Sequence, residues 1–170
     1  MNWNETYLTG ADDMDQDHKA IFELVNDYDN LYREANKPAN YEAEYIRILK
    51  EIHKYSKKHF LIEESFMEAY SPSGLSNYID QNQYFLTLLG NYTEKLNALI
   101  LEKKTVKTQE QLKLVRNDIK SRTSIINKLL KTWLVKHITE DHPKFNDMVS
   151  ISSTKGKISG IFSMFKLTKS

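Results

Sequence analysis

The sequence predicts an all-α protein, an up-down-up-down four-helix bundle with an N-terminal arm and a short basic C-terminal tail. Three observations predict it. Apolar residues recur at alternating steps of three and four along four long stretches, the pattern of helices that each bury one face in a bundle. Only five glycines and three prolines interrupt 170 residues, which leaves room for long helices. The breaks fall between the stretches, at Asn36-Lys37-Pro38-Ala39-Asn40, at Ser71-Pro72-Ser73-Gly74, and where the apolar pattern lapses between Lys103 and Thr108.

The first helix is expected from about Met14 to Ala35, with His18, Ile21, Phe22, Val25 and Tyr28 on one face. The second, from about Tyr41 to Ala69, aligns Tyr45, Ile48, Ile52, Tyr55, His59, Ile62, Glu63 and Phe66. The third carries Leu75, Tyr78, Asn82, Phe85, Leu89, Tyr92, Leu96 and Leu99. The fourth carries Leu112, Val115, Ile119, Ile126, Leu130, Trp133 and His137 and ends near Pro143. The length suits one domain, residues 1–150, followed by a tail, 151–170. That tail has four lysines (Lys155, Lys157, Lys166, Lys169) and no acidic residue from Ser152 onward, with Ile158, Ile161, Phe162 and Phe165 at helical spacing. It could contact a membrane surface or a protein partner, or fold back on the bundle.

Composition narrows the function. A net charge of +1 argues against a nucleic-acid binder, which needs a basic excess. No run of about 18 apolar residues offers a transmembrane segment. The first thirteen residues are acidic and lack the apolar stretch of a secretory signal. With no cysteine, disulfides and thiolate metal sites are excluded. Nothing points away from the cytosol, and a cytoplasmic location is expected.

The informative residues are ionisable groups on inward faces. His18, His59, Glu63 and His137 each fall on the apolar stripe of a helix. A charge buried alone costs several kcal/mol, so such groups need partners. One histidine on an apolar face reads as a hydrogen-bonded core residue. Three on different helices, beside a glutamate, read as a metal site. His59 and Glu63 are four apart and stack on one face. Imidazole with carboxylate suits iron, zinc or manganese. Asp141 and His142 follow His137 closely and are further candidate ligands where the fourth helix ends. His53 lies about 120° around the helix from His59 and reads as a surface residue.

These residues sit in stretches that resemble the hemerythrins, particularly bacterial ones. Trp3-Asn4-Glu5-Thr6-Tyr7-Leu8-Thr9-Gly10 is similar to the family's N-terminal arm, and Asp15-Gln16-Asp17-His18-Lys19, with Asn26 beyond, to its first ligand motif. His59-Phe60-Leu61-Ile62-Glu63-Glu64 with Met67 resembles the His-Phe-x-x-Glu-Glu signature. Trp133-Leu134-Val135-Lys136-His137-Ile138 resembles Trp-Leu-x-x-His-Ile. The resemblance runs from Trp3 to about Phe145. It implies two non-haem irons held by five histidines and two bridging carboxylates. His18 and His59 would bind one iron, Glu63 would bridge, and His137 would bind the other.

This chain departs from the family pattern at that second iron. The family's third-helix histidines fall at Tyr78 and Asn82, and its last carboxylate falls at His142. Tyr78 could ligate as phenolate or hydrogen-bond Glu63 or His59; Asn82 suits a supporting role around the ligands. One ion is therefore expected, held by His18, His59, Glu63 and a residue near the end of the fourth helix, or else an asymmetric pair.

The resemblance implies a non-haem iron protein that senses or handles oxygen or another small diatomic ligand, or handles metal. An incomplete second iron speaks against reversible oxygen carriage, which remains an alternative. A metal-free helical interaction module is the other reading. An enzyme of mononuclear-iron oxygenase type ranks last, because nothing in the sequence defines a substrate pocket or cofactor motif.

Overall fold

The structure, a computed structural model, describes residues 3–34 and 41–141, together with Phe145 and Met148. Four helices carry the fold: α1 (Asp12–Arg33), α2 (Tyr41–Tyr70), α3 (Leu75–Lys103) and α4 (Gln109–Lys136). Each packs on its sequence neighbours, and α1 closes against α4, as the predicted bundle requires. Among the described residues there is no strand, and no helix is long and apolar enough to cross a membrane.

Local chemistry sets the helix ends. The arm makes a 3-10 turn over Glu5–Tyr7, capped by Asn4, whose side chain accepts a hydrogen bond from the Thr6 amide. Gly10 then takes a positive φ of 82°, a conformation costly for residues with a Cβ, and turns the chain into α1. Asp12, Asp13 and Asp15 in the first turn of α1 and Arg33 in its last suit the helix dipole. Pro72 opens a short 3-10 turn, Pro72–Gly74, that separates α2 from α3. The lapse before Thr108 is the third connection, and the Thr108 hydroxyl caps α4 by accepting from the Gln111 amide at 3.2 Å. Beyond α4, residues His137–Asp141 form a π-helical turn that the sequence did not predict.

The predicted stripes form the core. Val25, Tyr28, Tyr45, Ile52, Leu89, Leu96, Ile126 and Leu130 are all buried in one large apolar cluster. A smaller cluster, with Met14, Ile62, Phe66, Tyr78 and Phe145, fills the other end. Polar ties fix how the helices sit together: Lys58 of α2 to Asp17 of α1 at 2.7 Å, Lys103 of α3 to Glu42 of α2 at 2.7 Å, and Asn127 of α4 to Asp29 of α1 at 2.8 Å. The basic tail lies outside the described residues.

Candidate metal centre

The two apolar clusters meet at a polar junction. His18 lies between Met14 of the small cluster and Ile21 of the large one; His59 is likewise flanked by Ile62 and Phe60. His137 follows Leu134 and precedes Phe145. The predicted side chains His18, His59, Glu63 and His137 are all buried, and one donor atom from each lies within 4.8 Å of all the others.

The spacing is that of donors around a common point. His59 Nε2 is 2.8 Å from His18 Nε2 and 3.1 Å from His137 Nε2. Glu63 Oε1 is 3.0 Å from the Nε2 of His59, 3.4 Å from that of His137 and 3.8 Å from that of His18. With metal–nitrogen bonds of about 2.1 Å, two donors on one ion lie about 3.0 Å apart at a right angle and about 3.4 Å apart at a tetrahedral angle. The cluster brackets those separations.

Hydrogen bonding alone satisfies these groups poorly. His59 Nε2 faces two nitrogens and a carboxylate oxygen, yet it has at most one proton to donate. Glu63 Oε1, fully buried, finds no well-aligned hydrogen bond among the three imidazoles that surround it. One cation accepting lone pairs from all four atoms resolves both problems, so the residues present fit a metal ion. Burial alone would raise the Glu63 pKa, but its interactions with His59, His137 and His18 hold it well below the usual carboxylate range.

The surrounding side chains orient the cluster. Tyr78 of α3 donates its hydroxyl to Glu63 Oε2 at 2.6 Å. Hydrogen bonding to Glu63 is one of the two roles open to Tyr78. Asn82, one turn on, gives its Nδ2 to Glu64 Oε1 at 3.0 Å. Asp15 accepts hydrogen bonds from the Thr9 amide and hydroxyl and the Gly10 amide, latching the arm to α1 one turn before His18. The Trp133 ring stacks on Phe85 at 3.9 Å and on His137 at 5.1 Å, forming a column of three nearly parallel rings that ends at the cluster. Beside this column a cleft of about 380 Å³ opens between α3 and α4. Buried Tyr78, Asn82 and His137 line it, as do exposed Tyr84 and Lys136.

Of the other sequence candidates, Asp141 ends the π-helical turn and His142 lies outside the described residues. His53 is half-buried rather than fully exposed, and it stands apart from the cluster. The rings of His18, His59 and His137 converge on the same carboxylate oxygen. The Asn82–Glu64 bond and the three-ring column escaped the sequence reading, although Glu64, Phe85 and Trp133 all stood in it.

Fold and site together define a helical bundle built around a cation-type donor set. The family model for the hemerythrin HHE cation-binding domain matches residues 9–148, and the chain belongs to that family. No curated protein and no solved structure matches the chain.

Proposed function

We propose that this protein holds one non-haem iron ion at His18, His59, His137 and Glu63, with Asp141 or His142 as a further donor, and serves in sensing or handling oxygen, a similar small diatomic ligand, or the metal itself in the cytoplasm. The observation that carries this reading is the convergence of three imidazole nitrogens and one carboxylate oxygen within 4.8 Å, in a family defined by cation binding. Bound iron supplies one-electron redox chemistry there.

The residues of the chain account for the rest. Three neutral imidazoles donate lone pairs, and Glu63 supplies one negative charge toward the ion's own. Tyr78 fixes the carboxylate's orientation. Phe60, Phe85 and Trp133 exclude water on one side, since the Phe60 ring packs 5.9 Å from His137 and 6.0 Å from Trp133. The cleft between α3 and α4 gives a small molecule a route to His137. Reversible oxygen carriage fits less well, because α3 contributes no histidine or carboxylate to the donor cluster.

Metal analysis of protein grown with iron tests the proposal. About one equivalent per chain is expected, lost on His59→Ala. Absorption bands of an oxo-bridged iron pair would restore the carrier reading. A second reading, a metal-free interaction module, draws on the hydrogen bonds that tie Tyr78 and Asn82 to carboxylates of α2. It predicts thermal unfolding indifferent to chelator and to added iron.

A further inference from the structure

We infer that Tyr78 is the positioning residue that confines this centre to a single ion, by holding the outer oxygen of Glu63 away from any second cation. The inference rests on the proposed metal centre and adds what sets its nuclearity.

The two oxygens of Glu63 do different work. Oε1 faces the three imidazole nitrogens. Oε2 points toward α3 and accepts the Tyr78 hydroxyl at 2.6 Å, the length of a strong hydrogen bond to a charged acceptor. To bridge two ions through both of its oxygens, a carboxylate must offer a lone pair from each oxygen to a different cation. On the α3 side of Glu63 that direction is filled by an O–H dipole whose positive end already faces Oε2. The tyrosine is buried and packs against Phe145 with ring centroids 5.9 Å apart.

The same helix offers a second cation nothing else. Tyr78 and Asn82 are four apart, both buried, and are the polar members of α3's inward stripe. Each is spent on a neighbouring carboxylate of α2: Tyr78 on Glu63, Asn82 on Glu64. Among the described residues, the imidazoles and carboxylate of the cluster come from α1, α2 and the turn after α4, and α3 adds no histidine or carboxylate to it. A second ion beside Oε2 would have to displace a short hydrogen bond and would find no imidazole or carboxylate among the buried residues of α3.

The test titrates metal-stripped full-length protein with Co(II), followed by visible absorption, and with Mn(II), followed by electron paramagnetic resonance. Wild type, Tyr78→Phe and the double variant Tyr78→His with Asn82→His are compared, with helicity checked by circular dichroism. Wild type is expected to take about one Co(II) per chain and to show the Mn(II) signal of isolated ions. Tyr78→Phe keeps one tight ion but shifts the Co(II) bands, because the released Oε2 can turn onto the ion; a tyrosine serving only to fill space would leave them in place. The double variant removes the block and adds two imidazoles one turn apart, so uptake rises to about two ions with a coupled Mn(II) signal. Two coupled ions in wild type, Co(II) bands unchanged in Tyr78→Phe, or a helical double variant still limited to one ion would each overturn the inference. If the double variant does not fold, the Tyr78→Phe spectrum decides. No uptake by wild type would instead refute the metal centre itself.

Discussion

His59 is the hub of the proposed centre, and replacing it with alanine gives the sharpest test of how the cluster works. Its Nε2 lies within 3.1 Å of both other imidazole nitrogens and of Glu63 Oε1. At a free metal concentration about 100 times the dissociation constant, binding to the native state alone adds about 2.7 kcal/mol of stability. In a chain of this length each kcal/mol moves Tm by about 2–4 °C, so metal should raise the wild-type Tm by about 5–11 °C. Even residues that merely support a metal ligand alter affinity by about 10–100-fold. If losing His59 weakens binding by about 100-fold, the same metal concentration adds only about 0.4 kcal/mol, or about 1–2 °C. The apo variant also starts from a different baseline. An imidazole-sized void costs about 2–4 kcal/mol, partly offset by relief of the crowded nitrogens. The quantity to compare is therefore the metal-induced increment in differential scanning calorimetry, not Tm itself. His53→Ala, outside the cluster, should keep the full increment. A His59→Ala protein that retains the wild-type increment, or a His53→Ala protein that loses it, would refute the reasoning.

Other predictions follow from single contacts. Asp29 is buried, which raises its pKa, but hydrogen bonds from Asn127, Lys131 and Arg33 outweigh burial and hold the carboxyl below its ordinary value. A depressed carboxyl stabilises the fold above its unfolded pKa of about 4, and that contribution disappears as pH falls through the folded value. Asp29→Asn should therefore cost about 1–3 kcal/mol at pH 7 in urea denaturation, with the gap closing below about pH 4; a gap that widens on acidification would contradict the assignment. Thr108→Ala removes the cap of α4 and should lower stability by about 1 kcal/mol, with α4 amides near Gln111 exchanging faster; unchanged exchange there would count against the cap. Co(II) bound at the cluster should quench Trp133, which stacks 5.1 Å from His137, and Trp133→Phe should abolish most of that quenching. Quenching that survives in Trp133→Phe would place the ion elsewhere.

Much of this molecule was legible in its sequence because helical periodicity reports burial directly. His18, His59, Glu63 and His137 were visible as polar residues on apolar stripes, and all four are buried together. Breakers located the connections to within a few residues: α2 starts at Tyr41 as expected, whereas α1 begins two residues before Met14 and ends two before Ala35. What escaped depends on angles between helices rather than spacing along one. Periodicity placed Tyr78 inward but could not choose its partner, because Glu63 and His59 present the same face of α2. It could not show that His137 shares an oxygen with His18 and His59, since that follows from where the turn after α4 sits beside Glu63 of α2. The π-helical turn was hidden for another reason: it inserts an extra residue per turn without any proline or glycine to announce it.

The central claim is that three imidazoles from three parts of the chain bind one ion through Nε2. The most direct measurement is long-range proton–nitrogen NMR of the histidine rings during titration with Zn(II), a diamagnetic ion suited to such donors. The Nε2 resonances of His18, His59 and His137 should move together and saturate at about one equivalent, while those of His53 stay put. Movement of only one or two of the three, separate saturation points for His137 and the His18–His59 pair, or no movement at all would contradict it.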